Sequence, residues 1–280
     1  MNIDLHCHSN ASDGVLSPEV LAERAKAKGL DVIALTDHDE LAALPAMRRS
    51  CEALGLQFID GVEVSCEWEG VGIHVVGLAI DPGCPTLAGH LAGIRNSRDS
   101  RARRMADSLE EAGIPGSYEG ALAYAGNPSL VGRAHFARFL AAEGHASTMK
   151  AVFQRYLSPG LPGYVEHVWP ALDRAVGWIR AAGGIAVIAH PGQYGFDEDR
   201  MRRFLATFRA AGGQGIEVSS GAHTPDQYGE FAALAREFGL QGSCGSDFHA
   251  PGEGSSDLGR ILPLPVGVEP VWQSFVKQPS

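Results

Sequence analysis

Short apolar runs recur along this chain, each followed by a helical stretch, and that alternation restricts the fold more than any other feature. Asn2 to His8 reads as a strand, and Ser17-Pro18-Glu19 opens a helix with a capping serine and a proline in its first turn. That helix runs through Ala22, Ala25 and Ala27 to a stop at Gly29. Val32-Ile33-Ala34-Leu35 is an all-apolar run of the kind a buried parallel strand carries. A helix from about Glu40 to Leu54 follows, then strands near Phe58 to Val64 and Ile73 to Leu78. Further on come helix Ala171–Ala182, strand Ile185–Ala189, helix Glu198–Ala211, strand Ile216–Val218, helix Pro225–Phe238 and strand Gln241–Cys244. Repeated units of this kind predict an α/β fold with a largely parallel sheet, open or closed into a barrel.

Between these two stretches, from about Pro85 to Glu166, nothing reads as a strand. Helices fit Ile94–Ala112, Tyr118–Ala125, Gly132–Ala142 and Thr148–Tyr156, separated by Gly113, Gly126-Asn127-Pro128, Gly144 and Ser158-Pro159-Gly160. The expected organisation is a body formed by residues 1–84 and 167–280 and a helical insertion, 85–166, that covers the substrate. After Ser256 the chain is proline-rich and is expected to cover the barrel and then fray.

Composition narrows the class. Hydrophobic content of 45% and charged content of 20% suit a soluble globular protein. No apolar window of about 18 residues predicts a membrane span, and no basic stretch leads into an apolar run at the N-terminus, so the cytoplasm is expected. Cys7, Cys51, Cys66, Cys84 and Cys244 are scattered without a C-x-x-C pair, which argues for free thiols rather than disulfides or a thiolate site. A net charge of −10 argues against a generally basic nucleic-acid surface, and it has a second reading, since carboxylates that hold divalent cations add negative formal charge.

In parallel α/β folds functional groups gather at the carboxyl ends of strands. Here the first strand ends in His6-Cys7-His8 with Asp13 just beyond, the second in Thr36-Asp37-His38-Asp39, the third in Gly61-Val62-Glu63. His74 lies on the next strand, and the later ones end in Ala189-His190, Ser219-Ser220-Gly221-Ala222-His223 and Ser246-Asp247-Phe248-His249. His6 and His8 project to one side because strand side chains alternate. A lone histidine is usually structural. Six of them with three carboxylates, buried without a cation, would carry a large desolvation cost and mutual repulsion. An imidazole–carboxylate set without thiolate suits manganese, iron or zinc, and magnesium less well.

These motifs, in this order, resemble the PHP family, named for polymerases and histidinol phosphatases. The family's H-x-H, T-D-H, Glu, His and D-x-H pattern is matched by His6-Cys7-His8, Thr36-Asp37-His38, Glu63, His74, His190 and Asp247-Phe248-His249. The resemblance implies a distorted (β/α)7 barrel with a trinuclear metal centre. It implies that His6, His8, Glu63 and Asp247 hold the first metal, that Glu63 bridges to a second completed by His74 and His190, and that Asp13, His38 and His249 hold the third. Two or three divalent ions, manganese first among them, are the implied cofactors.

Two runs in the insertion, Gly132-Arg133-Ala134-His135-Phe136-Ala137-Arg138 and Tyr156 to Val165, resemble a bacterial PHP subgroup. That subgroup hydrolyses nucleoside 3′,5′-bisphosphates such as pAp and degrades short RNA from the 5′ end, so nucleotides and short single-stranded RNA are the expected partners. No membrane or protein partner is inferred. The expected mechanism is two-metal hydrolysis by a metal-bound hydroxide, with Asp13, His38 and His249 on the leaving-group side and Asp37 orienting a ligand from behind. A bisphosphate needs a further cation. Arg95, Arg98 and Arg101 share a helix face, and Arg133 with His135 at a helix start suits a second phosphate. Tyr164 and His223 complete the candidate substrate contacts. The rival readings are a histidinol-phosphate phosphatase or other small phosphomonoesterase of the family, a metal-binding module without activity, and RNA binding, which the acidic balance limits to short single strands.

Overall fold

The computed structural model describes residues 1–254 and 256–276. Seven strands pair in chain order: β1 (Ile3–Asp4), β2 (Val32–Leu35), β3 (Gln57–Trp68), β4 (Val71–Leu78), β5 (Ile185–Ile188), β6 (Gly215–Ser220) and β7 (Gln241–Gly245). The sheet closes on itself because the chain beyond β1 bonds to β7 and its extension. Leu5 N donates to Cys244 O at 2.9 Å, and His8 N donates to Phe248 O at 2.9 Å. The result is the distorted barrel that the resemblance to the PHP family implies, where the alternation alone left the sheet open or closed.

Its distortion has a local cause. β3 and β4 form an antiparallel hairpin across Glu69-Gly70, both with positive φ (47° and 74°), the backbone a tight two-residue hairpin requires. β4 also runs antiparallel to β5. Its beginning, not its carboxyl end, therefore lies at the rim where the other strands finish, and His74 reaches the site from there. The sequence rule that ligands sit at strand ends needs correction at two positions, His74 near the start of β4 and Glu63, which lies in the middle of β3 because that strand runs on to Trp68 in the hairpin.

Alternation within the strands sorts two apolar clusters. Val32 and Ala34 join Ile3, Leu5, Ile59, Val76, Leu78, Val187 and Ala189 in a cluster that fills the barrel. Ile33 and Leu35 point the other way, packing with Leu21 of α1 (Pro18–Ala27), Met47 of α2 (Leu44–Leu54), Val176 of α7 (Leu172–Ala181), Phe204 of α8 (Glu198–Ala210) and Phe231 of α9 (Pro225–Phe238). Val271, Trp272, Phe275 and Val276 close the far end of the barrel interior. The C-terminal segment thus covers the barrel as expected. Any fraying at 277–280 falls outside the described residues.

The insertion holds α3 (Pro85–Glu111), α4 (Ser117–Leu122), α5 (Arg133–Ala142) and α6 (Met149–Val152), which runs into a single π-turn at Phe153–Leu157. It has an apolar cluster of its own around Met105, Leu109, Phe136, Leu140 and Val152. Full burial of a side chain such as Phe136 stabilises the fold by roughly 1.5–3 kcal/mol. α3 starts nine residues before the expected Ile94, and its first half packs elsewhere: Leu87, Leu91 and Ile94 belong to the cluster around the barrel.

Candidate metal centre

At the rim, the filling of the barrel changes from apolar to ionisable one step along β3, β4 and β6. Ile59 and Gly61 are followed on the inner face by Glu63, Val76 by His74, and Gly215 by Glu217. Room for His6 is made by Gly245, where a Cβ would lie 2.2 Å from the His6 Cβ. Asp39, His190 and Asp247 take positive φ (53°, 27° and 54°) where their strands give way to loops, a strained conformation that gathers at functional sites.

The nine expected donors converge. His6 Nε2 lies 3.1 Å from His8 Nε2, 3.3 Å from Glu63 Oε2 and 3.5 Å from Asp247 Oδ1. His8 Nε2 is 3.4 Å from the same Glu63 oxygen and 3.3 Å from the same Asp247 oxygen. The other Glu63 oxygen stands 3.0 Å from His74 Nδ1 and 3.1 Å from His190 Nε2. Asp13 Oδ1 faces His249 Nε2 at 3.3 Å, and Asp13 Oδ2 faces His38 Nε2 at 3.7 Å. His38 also touches Glu63 Oε2 through Nδ1, at 2.9 Å, so it stands between two groups. Metal bonds of about 2.0–2.2 Å place neighbouring donors roughly 3–3.5 Å apart, and most of these spacings fall there.

Hydrogen bonding alone does not satisfy the cluster. His8 Nδ1, Asp13 Oδ1, His38 Nδ1, Glu63 Oε2, His74 Nδ1 and His190 Nδ1 are buried without a hydrogen-bond partner. Burial disfavours every charge here, yet His38, His6 and His74 hold the Glu63 carboxyl well below its usual range, and His249 and His38 do the same for Asp13. For His8, burial and the neighbouring His249 push the imidazolium down to about 3. Burial opposes the His249 charge as well, yet Asp13 and Asp247 raise that imidazole to about 10, so carboxylates and imidazoliums offset one another here as divalent cations would in place of the protons. The donor set fits such ions.

Outside the donors sits a residue that the sequence reading assigned no role, Glu217. It accepts from His6 Nδ1 and from His190 N–H, both at 2.7 Å, which turns His6 Nε2 inward toward the other donors. Its signal was a carboxylate inside the apolar strand Ile216-Glu217-Val218. Asp37 works differently from the expectation. It touches no histidine ring; it accepts from Ser9 N, Ser9 Oγ and Ser12 Oγ and so fixes the loop that ends in Asp13.

The donors open into a cavity of about 350 Å³ shared with the insertion. Arg98 and Arg133 line it. Arg98 is tied to buried Asp39 and donates to Ser65 Oγ at 2.8 Å. Arg101, on the same helix face as Arg98, lines the cavity too; burial and nearby Arg133 and Arg98 pull its guanidinium down to about 9. Neither Arg101 nor Arg133 has a carboxylate partner among the described residues, and Arg133 rests over the Phe153 ring. Leu130, Met149 and Phe153 form an apolar wall.

Three expected contacts do not face this cavity. His135 is fully buried, its Nδ1 accepting Gly132 N–H at 3.0 Å, so it caps α5. His223 uses both nitrogens, Nδ1 on Val218 O at 3.1 Å and Nε2 on Gly192 N–H at 3.3 Å. Tyr164 stands close to Arg101 and Arg133, away from the lining.

Comparison with known proteins places this geometry. The model of the PHP domain matches residues 4–158, more than half of the 280 in the chain. The chain belongs to the PHP family. It is 49% identical to a 3′,5′-nucleoside bisphosphate phosphatase of Chromobacterium violaceum, covering 98% of this chain and 96% of that protein. A 5′-3′ exoribonuclease of Haemophilus influenzae is 45% identical, with coverages of 97% and 98%. Among solved structures, a C. violaceum protein described as an amidohydrolase with bound sulfate and no metal superposes with a TM-score of 0.95 at 48% identity, covering 98% and 95%. A metal-dependent phosphoesterase of Bifidobacterium adolescentis gives 0.80 at 28% identity, covering 91% and 92%. Like these PHP relatives, the chain is a hydrolase whose site suits divalent metals. No helix among the described residues is long and apolar enough to cross a membrane.

Proposed function

We propose that this PHP protein hydrolyses nucleoside 3′,5′-bisphosphates, converting pAp to AMP and phosphate, and removes nucleotides from the 5′ end of short 5′-phosphorylated RNA. The observation that carries the reading is one cavity joining the donor cluster to Arg98, Arg101 and Arg133. A 5′-phosphate held by Arg101 and Arg133 directs the 3′-phosphorus toward the donors, and the geometry is the same whether a hydrogen or a further nucleotide follows. Guanidiniums that line the cavity without carboxylate partners suit such an anion. Histidinol phosphate carries no second anion, so the arginines disfavour it. A module without activity is disfavoured by the complete donor set.

In this reading His6, His8, Glu63 and Asp247 would hold one divalent ion, Glu63, His74 and His190 a second, and Asp13, His38 and His249 a third on the leaving-group side. Bound ions supply Lewis-acid neutralisation of the phosphoryl oxygens and a nucleophile at neutral pH. The chain's own contribution is positional. Glu217 keeps the proton of His6 on Nδ1, Asp37 holds the Asp13 loop, and the helical segment 85–166 covers the substrate with Leu130, Met149 and Phe153 against the nucleoside. Manganese is the proposed ion, since imidazoles and carboxylates without thiolate suit it.

The test is phosphate release from pAp, AMP and histidinol phosphate, and nucleotide release from a short 5′-phosphorylated RNA, each with manganese, magnesium and zinc. The expected order is pAp well above AMP and histidinol phosphate, with manganese best. Preference for histidinol phosphate would overturn the proposal.

A further inference from the structure

We infer that Arg138 is a positioning residue that sets the spacing of the Asp13–His38–His249 donor group from the insertion side. Arg138 lies on α5, just over one turn beyond Arg133. Its Nε and Nη2 donate to the two Glu253 oxygens at 2.9 and 2.8 Å, while Nη1 donates to the backbone oxygen of Asp13 at 2.7 Å. The side chain is 6% exposed. One guanidinium thus grips two separate loops: the one after β1, which carries Asp13, and the one after β7, which carries His249 four residues before Glu253. Those two donors face each other at 3.3 Å.

The three contacts engage all three nitrogens of the guanidinium, and a bidentate pair with a carbonyl fixes its plane. They reach the backbone of Asp13, not its carboxylate, so the effect is on where the carboxylate sits and not on its charge. The same helix presents Arg133 to the cavity. The seat of the substrate's second phosphate and the spacing of this donor group are therefore built on one element, and by linkage an ion bound at Asp13, His38 and His249 stiffens the attachment of α5.

The inference rests on the metallophosphoesterase reading, and manganese binding separates the two. The experiment measures equivalents of bound manganese and their dissociation constants for wild type, Arg138→Met, Arg138→Lys and Glu253→Gln, alongside the rise in melting temperature that manganese produces. Arg138→Met is expected to bind one equivalent fewer, or to bind it 10- to 100-fold more weakly as outer contacts to metal ligands typically do, with the remaining equivalents unchanged. Arg138→Lys keeps charge but only part of the fork and falls between. Glu253→Gln shifts the same equivalent less and decides the matter if Arg138→Met does not fold. Wild-type stoichiometry and affinity in the folded Arg138 and Glu253 variants would overturn the inference. A wild type that binds no manganese would overturn the metallophosphoesterase reading instead.

Discussion

Glu217→Gln isolates what a single carboxylate behind the donors contributes. The Glu217 oxygens each accept one hydrogen bond at 2.7 Å, from His6 Nδ1 and from the backbone N–H of His190. Glutamine has almost the same shape but only one acceptor oxygen, so its amide must present a donor either to His190 N–H, which is donor against donor, or to His6. In the second case His6 satisfies it only by moving its proton to Nε2, the nitrogen that faces His8, Glu63 and Asp247. Losing one charge-assisted bond costs about 1.5–3 kcal/mol, and at about 1.4 kcal/mol per tenfold this is roughly a 10- to 100-fold loss of metal affinity, the range found for outer partners of metal-ligating histidines. Calorimetric titration with manganese reads it directly. Turnover should recover at high manganese if the damage is to affinity alone. Manganese affinity and turnover both within threefold of wild type would refute the reasoning.

Arg133→Ala should raise the KM for pAp about 10-fold or more, from loss of a charge-assisted contact, and leave the KM for an aryl phosphate nearly unchanged; equal effects on both substrates would remove the second-phosphate role. Asp39→Asn strands the Arg98 guanidinium, whose charge Asp39 neutralises from a fully buried position, and should cost roughly 3–5 kcal/mol in urea unfolding; a loss below 1 kcal/mol would show that water reaches Arg98. Asp257 offers a pH test away from the site. Burial opposes its charge, but hydrogen bonds from Arg24 and Lys28 pull its carboxyl down to about 2. A depressed folded value means stability that is present in full above the unfolded pKa near 3.8 and lost as pH falls through about 2. The stability gap between wild type and Asp257→Asn should be constant above pH 5 and narrow toward pH 2, and a gap independent of pH would contradict the assignment.

The donor cluster was legible because its residues punctuate short apolar runs at strand ends, where a barrel must bring them together. His74 was legible as a residue but not as a direction, because the reversal of β4 depends on a two-residue turn at Glu69-Gly70 that carries no metal-binding signal. The substrate side was less readable. Arg98, Arg101 and Arg133 look alike in sequence, and only the fold shows that Asp39 occupies the first while the other two lack such a partner. His135 and His223 sit in motifs that resemble contacts, yet local backbone groups claim Nδ1 of the first and both ring nitrogens of the second. Such capture is decided by loop geometry within a few residues, which residue spacing does not encode.

α3 has a bearing on how this insertion could be altered. At 27 residues it extends about 40 Å, and it lends Leu87 and Leu91 to the packing around the barrel but Met105 and Leu109 to the cluster of the insertion. There is no seam at residue 85. A graft or deletion cut there would strip side chains from the barrel's coat, and one cut after Ile94 would leave a bare helical stub. Exchange of this covering element between family members would succeed only with the junction placed inside the helix. That junction falls in the stretch bearing Arg95, Arg98 and Arg101, so trading the insertion means trading these arginines with it.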